Sequence, residues 1–255
     1  MMRFAAGRRG CAAAAVLYGS LVWASCDVVK EDRRDCPCTL AVEMRALPVS
    51  PVRLFANGLP AGEALRDTCL TVLVSKGPRA LLAAVSGALP ADGTAVRIPY
   101  GSEAPPLYAW QAWADCSGDT GAATVRLRRH YCTLALEPVS PPGWAQPFKV
   151  SVRGSVDGWS LSAGEPTDGP FQCTLDAGFR CRLPRQRPES ELWLDVVMPE
   201  GVVRTFALGE ALARSGYDWT APDLADIGLR LDLSVSELRL SGGSFREPVT
   251  LPLEI

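Results

Sequence analysis

The chain has one histidine, His130, and lysine only at Lys30, Lys76 and Lys149. Histidine poverty removes most zinc centres and most acid–base triads, which are built on imidazole. Cys36-Pro37-Cys38 would need distant partners to hold a metal, and no cysteine falls at zinc-ribbon or zinc-finger spacing. The net charge of −2 gives no global field that would draw nucleic acid or an anionic membrane. The leader's apolar run, residues 11–25, is fifteen residues, short of the roughly 20 that span a bilayer. No phosphate-binding loop, nucleophile elbow or dinucleotide fingerprint occurs. The expectation is a protein that is not an enzyme, with no cofactor, no metal and no nucleic-acid partner.

What is present begins with a leader. Arg3, Arg8 and Arg9 precede the apolar "CAAAAVLYGSLVWAS", the order of a secretory signal. The small pair Ala24-Ser25 directly before Cys26 narrows this to a lipoprotein signal over residues 1–25, with Cys26 the lipidated first residue of the mature chain. Cleavage nearby by an ordinary signal peptidase is the alternative, and would leave Cys26 a plain thiol. Residues 26–35 follow as a polar tether, too poor in apolar side chains to order themselves.

The body opens with "CTLAVEMRALPVSP" (38–51), and "CTLALEPVSP" (132–141) repeats it ninety-four residues on. Both copies alternate apolar and polar residues, the period of a half-buried strand. One strand recurring at domain spacing suggests two related domains, 36–129 and 130–255, each opening with it. Further runs read as strands: 68–75, 79–87, 94–100, 106–114, 124–137, 148–154, 171–175, 179–183, 191–198, 202–208, 227–240 and 249–255. Short strands between Gly/Pro turns argue an all-β sandwich or barrel. One short helix is expected over 208–216, with Leu208, Ala211, Leu212 and Ser215 on one face and Gly216 as its left-handed cap. "TAPD" (220–223) reads as a capping box opening one further turn.

Seven cysteines lie beyond Cys26. In "FQCTLDAGFRC" a three-residue hairpin loop, with Gly178 in the left-handed position, sets Cys173 opposite Cys181; a disulfide there is favoured over two buried thiols. Cys36, Cys38, Cys69, Cys116 and Cys132 are not paired by sequence. His130 and Cys132 share a strand face, yet nothing marks a third orienting group, so close strand packing is the simpler reading. Asp218, Asp223, Asp226 and Asp232 lack calcium-loop spacing and read as turn and strand chemistry. Tyr100, Tyr108, Trp110 and Trp113 are candidates for a sugar-stacking platform, but Tyr108 and Trp110 share one face of their strand and Trp113 takes the other, which suits a core strand better. Arg126 and Arg128 read as a solvated face.

The segments "LPRQ" (183–186), "TFALGE" (205–210), "SGYDWTAPDLADI" (215–227) and "CDVVKEDRRDCP" (26–37) together resemble the fimbrial anchor subunit family of Bacteroidetes, the FimB/Mfa-type anchoring lipoproteins. The likeness runs from Cys26 to the end, dense in the last third and thin over 45–125; "LSGGSFREP" (240–248) departs where a Gly-Trp is expected. Lys30, Glu31 and Asp32 resemble the Lys-plus-acidic signal that sends such lipoproteins to the outer leaflet. The resemblance implies two tandem transthyretin-like β-sandwich domains. It also implies a surface-facing lipoprotein of the outer membrane that holds a fimbria (pilus) and ends its growth by strand-exchange contact with a stalk subunit. The short tether and the end at "LPLEI" suit a subunit joined to the polymer on one side. The reading from another class is a surface lipoprotein that binds glycan or another host ligand.

Overall fold

Alternation decides which way each strand faces. In β1 (Cys38–Met44), Cys38, Leu40, Val42 and Met44 are fully buried and the residues between them face outward. The computed structural model describes residues 36–45, 47–48, 51–65, 68–86, 93–139, 148–232, 237–240 and 250–251. Residues 37–255 form one compact unit. Cys26, Lys30, Glu31 and Asp32 lie outside the described residues.

Four sheets pack as two sandwiches. In the first, β4 (Thr68–Val74), β1 and β8 (Thr120–Val125) lie in the order β4-β1-β8. The facing sheet holds β2 (Val52–Ala56), β3 (Leu59–Ala64), β5 (Gly77–Ser86), β7 (Tyr108–Cys116) and β9 (Arg128–Arg129), in the order β3-β2-β5-β7-β9. Leu40, Val42 and Met44 meet Leu54, Leu82 and Ala114 between the two sheets. Asn57 and Gly58, both at positive φ, make the two-residue turn that joins β2 to β3.

The second sandwich repeats the plan. One sheet runs β13 (Arg180–Pro184), β10 (Tyr131–Val139), β16 (Ile227–Asp232), β17 (Glu237–Leu240) and β18 (Thr250–Leu251). The other runs β12 (Glu165–Thr174), β11 (Lys149–Ser160), β14 (Leu192–Val197) and β15 (Val203–Phe206). β1 pairs antiparallel with β4 and parallel with β8; β10 pairs antiparallel with β13 and parallel with β16. The two copies of the repeated strand therefore hold the same place in their sheets, and the fold is the all-β double sandwich expected, with one helix among the described residues.

The halves are joined by a borrowed strand. β6 (Ala95–Arg97) pairs with the far end of β11, where a Cβ on Gly158 would stand 2.0 Å from the Val96 carbonyl oxygen. Val96, Leu107 and Leu161 cover the outer face of β5 at Ala83 and Val85. Burial on both faces explains why β5 is apolar almost without alternation. Arg97 Nη1 donates to both oxygens of the buried Asp157, at 2.9 and 2.7 Å, and Thr167 donates to it at 2.7 Å.

The helix α1 (Leu208–Arg214) buries Leu208, Ala211 and Leu212, and Gly216 closes it at φ +78°. Two of the expected long strands are broken. Residues 124–137 divide among β8, β9 and β10, and 227–240 fold back as the β16–β17 pair. The segment 220–223 forms no helical turn. Instead Asp218 accepts from the Thr220 amide and hydroxyl, and Asp223 accepts from the Arg129 amide at 2.8 Å. The turn after β12 is hydrogen-bonded but closes one residue later than expected, the Phe179 amide donating to the Asp176 carbonyl at 2.9 Å and the Asp176 amide to the Arg180 carbonyl at 3.0 Å, and no ladder continues beyond it. β12 and β13 belong to opposite sheets, and Phe179 rather than Gly178 takes the positive φ, because the chain must turn out of one sheet into the other.

"LPRQ" marks a buried clamp. Arg185, 6% exposed, donates to the carbonyls of Trp219, Ala221, Pro222 and Arg129 at 2.5–3.1 Å, and its Nε donates to His130 Nδ1 at 3.1 Å. One guanidinium thereby fixes the loop after α1 against the start of β10. His130 stacks on Trp159 with ring centroids 3.8 Å apart.

Candidate docking edge and aromatic pocket

Edge strands present unpaired backbone groups, and natural sheets guard them with Pro, Gly kinks, bulges, charge or shortness. Most edges here are guarded. β3 carries Pro60, Gly62 and Glu63 and a register shift; β12 carries two prolines, Gly169 and bulges; β9 is two arginines; β13 ends in Pro184. β4 is different. "TCLTVLV" is seven residues without Pro, Gly or charge, paired along its whole length with β1 on one side. No strand pairs with its other side among the described residues. β8, the opposite edge of that sheet, is interrupted by Gly121, whose site is hemmed by Leu40.

Beside β4 lies a cleft of about 440 Å³, walled by Leu59, Pro60 and Ala61 of β3 and by Thr71, Leu73 and Ser75. Val72 and Val74 point into the core, while Leu73 is 66% exposed; Leu59 across the cleft is 70% exposed. The two sheet edges of the first sandwich thus form one open mouth, in which Leu59 and Leu73 stand beside Asn57, Thr71 and Ser75. Such a mouth can accept an extended segment, β4 supplying main-chain partners and the cleft taking alternate side chains. The residues of β3 and the turn before it were not anticipated from sequence, although Asn57-Gly58 between "VRLFA" and "LPAGEA" is a strong hairpin signal.

A second opening, about 200 Å³, is lined by Tyr100, Arg153, Pro170, Phe171, Glu191 and Trp193. Tyr100 is 65% exposed and its hydroxyl bonds to Gln172. The Arg153 guanidinium lies 5.3 Å from the Trp193 ring centre and donates to Asp195 at 2.8 Å. The aromatics expected to pack along β7 divide otherwise. Trp110 packs on the first core, Tyr108 meets Tyr131 edge-on, and Trp113 is 62% exposed rather than part of a core. Tyr100 of this opening was among the aromatics weighed from sequence, whereas Trp193 was not.

The remaining candidates have structural partners. His130 is held neutral: burial, then the Arg185 charge, push its pKa down to about 3. Burial pushes the Cys132 thiol up to about 12 and the neighbouring Tyr217 hydroxyl upward too, so His130 and Cys132 face different partners and form no nucleophile–base pair. Asp226 accepts from Arg129 and from the Thr133 amide, locking the start of β10. No group of metal-ligating side chains occurs among the described residues, and none of their helices is long and apolar enough to cross a membrane.

Fold and site define a double β-sandwich whose β4 edge has no strand on its outer side among the described residues. Solved structures of this fold include the fimbrial anchor protein Mfa2 from Porphyromonas gingivalis, at TM-score 0.57 and 11% identity over 82% of this chain and 98% of that one. A candidate polysaccharide-binding protein (DUF1812) from Bacteroides thetaiotaomicron is similar at TM-score 0.55 and 12% identity, covering 80% of this chain and 96% of that one. A candidate adhesin from Bacteroides ovatus matches at 0.54 and 11%, covering 86% and 95%. No family model and no curated protein matches the chain.

Proposed function

We propose that this protein is a non-enzymatic fimbrial anchor and assembly subunit at the cell surface. In this reading Cys26 carries the lipid that holds it in the outer membrane, Lys30, Glu31 and Asp32 direct it outward, and the sandwiches divide near residue 130. A fimbrial stalk subunit lays an extended segment along β4. The observation that carries this is the uncharged β4 edge beside its open cleft, in a fold shared with a fimbrial anchor protein. Strand addition satisfies a row of backbone groups at once and needs no catalysis. Two or three acyl chains would hold such a subunit where one is marginal. The test is detergent extraction of outer membranes, affinity capture and an unboiled denaturing gel. A ladder that collapses on boiling, with fimbrial subunit peptides in it, is expected; a lone monomer in cells that make fimbriae overturns the reading.

The second reading is glycan binding, and the Tyr100–Trp193 pocket favours it. An exposed tyrosine ring beside Arg153, Glu191 and Gln172 offers one stacking face and several polar partners, the mix that takes a sugar ring. Binding of the protein to an oligosaccharide array, lost in Tyr100→Ala, would support it over the anchor.

A further inference from the structure

Two cysteines that sequence leaves unpaired meet inside the first sandwich. Cys38 opens β1 in one sheet and Cys116 closes β7 in the other, and both are fully buried in the same core. The Cys116 thiol donates to the Ala114 carbonyl at 3.8 Å, and Cys38 is its neighbouring sulfur. Cys38 lies opposite Val74 in the β1–β4 register, and Cys116 lies opposite Gly77 in the β5–β7 register, so the two sit at the end of the sandwich where β4 leads into β5. The other thiols are placed otherwise. Cys36 and Cys69 are exposed, and Cys132, the counterpart of Cys38 in the sequence repeat, has Tyr217 as its hydrogen-bonding neighbour.

We infer that Cys38 and Cys116 form a disulfide that staples the two sheets of the first sandwich together. Each thiol loses one hydrogen and a single S–S bond forms. The two electrons and two protons pass by thiol–disulfide exchange to a disulfide oxidant, which leaves as two thiols. The thiolate is the attacking form, and burial, then the neighbouring Cys38 sulfur, raise the Cys116 pKa. The bridge therefore closes during folding, before the core shuts, and not in the finished fold.

The second sandwich holds a parallel case. Cys173 of β12 and Cys181 of β13 sit in opposite sheets, both buried in one core, with Cys173 the neighbouring sulfur of Cys181. The pair favoured from sequence as a cross-strand bridge would thus also join sheet to sheet. On the anchoring reading, and only there, the Cys38 bridge has a mechanical consequence. Cys38 stands where the tether enters the fold, so a pull on the tether loads both sheets instead of peeling β1 away.

The test uses the exported full-length protein, denatured without reductant, alkylated and digested with trypsin. A Cys36→Ser background removes ambiguity, because Cys36 and Cys38 share the peptide 35–45. Expected is peptide 35–45 covalently joined to peptide 98–126, separating on reduction, with Cys69 and Cys132 alkylated throughout. Alkylation of Cys38 or Cys116 before reduction, or a bridge from either to any other cysteine, overturns the proposal. Refolding the reduced chain with and without oxidised glutathione gives an independent readout. The linked peptide must form only with the oxidant present, and its failure to form in a correctly refolded chain would also overturn the inference.

Discussion

His130 makes acid sensitivity a sharp test of the Arg185 clamp. The imidazole is 7% exposed, accepts the Arg185 Nε hydrogen through Nδ1 and stacks on Trp159. Protonation would destroy that acceptor and set a second buried cation beside the guanidinium. Its pKa is accordingly held near 3 in the folded chain, against roughly 6.5 when unfolded. The sign follows from proton uptake. Between these values the unfolded chain binds a proton that the folded chain does not, so stability is fully present above about pH 6.5 and is lost as pH falls. One proton is worth about 1.4 kcal/mol per pH unit once the unfolded imidazole is fully protonated, so lowering the pH from 6.5 to 5 removes about 1.6 kcal/mol. His130 is the only histidine, and carboxylates begin to titrate only below that window, so this loss has one source. Urea unfolding at pH 7, 6 and 5 measures it. His130→Gln, whose amide oxygen can accept from Arg185, is expected to lose the slope whatever its stability at pH 7. NMR of the lone imidazole in the native protein should show no titration down to pH 4. A wild-type chain flat from pH 6.5 to 5, an equal slope in the variant, or an imidazole titrating near 6.5 refutes the reasoning.

Other outcomes follow from the same packing. Arg185→Met leaves four carbonyls and the buried His130 without their donor and should cost about 3–5 kcal/mol in chemical denaturation. Leu212→Ala, at the fully buried face of α1, should cost about 2–5 kcal/mol. Cys116→Ser should lower the stability of the oxidised protein by about 4 kcal/mol, from the loss of a closed loop of nearly eighty residues, and far less in reductant. Leu73→Glu puts charge on an exposed position of β4. It should leave stability within about 0.5 kcal/mol, yet abolish capture of fimbrial subunits in the unboiled-gel assay.

The fold was legible where pattern and packing agree. "CTLAVEM" and "CTLALEP" alternate cleanly because each is the central strand of its sheet, with one face on a core. Leu208, Ala211, Leu212 and Gly216 announced α1 for the same local reason. What failed was long-range. The break between β8, β9 and β10 arises because the chain changes sheets at residues 126–130, which the continuous apolar–polar pattern of 124–137 hides. Asp223 was read as a cap because its spacing from Thr220 is right, but it spends its carboxylate on the Arg129 amide ninety-four residues away in sequence. The meeting of Cys38 with Cys116 depends on two sheets stacking, which no local spacing encodes. Arg185 stood inside a segment recognised by resemblance, and only the structure gives its physical reason, a guanidinium answered by carbonyls from two distant segments. The β4 edge was visible as a strand, but not as an edge, since pairing partners are a property of the whole sheet.

The central claim is that β4 and its cleft receive a fimbrial subunit. A photo-activatable cross-linking residue placed singly at Leu59, Leu73 or, as a distant exposed control, Val203, in cells making fimbriae, tests it directly. The account predicts a covalent product containing a fimbrial subunit from Leu59 and Leu73 and none from Val203. Cross-linking from Val203 alone, or none from either cleft position while fimbriae are present, would contradict it.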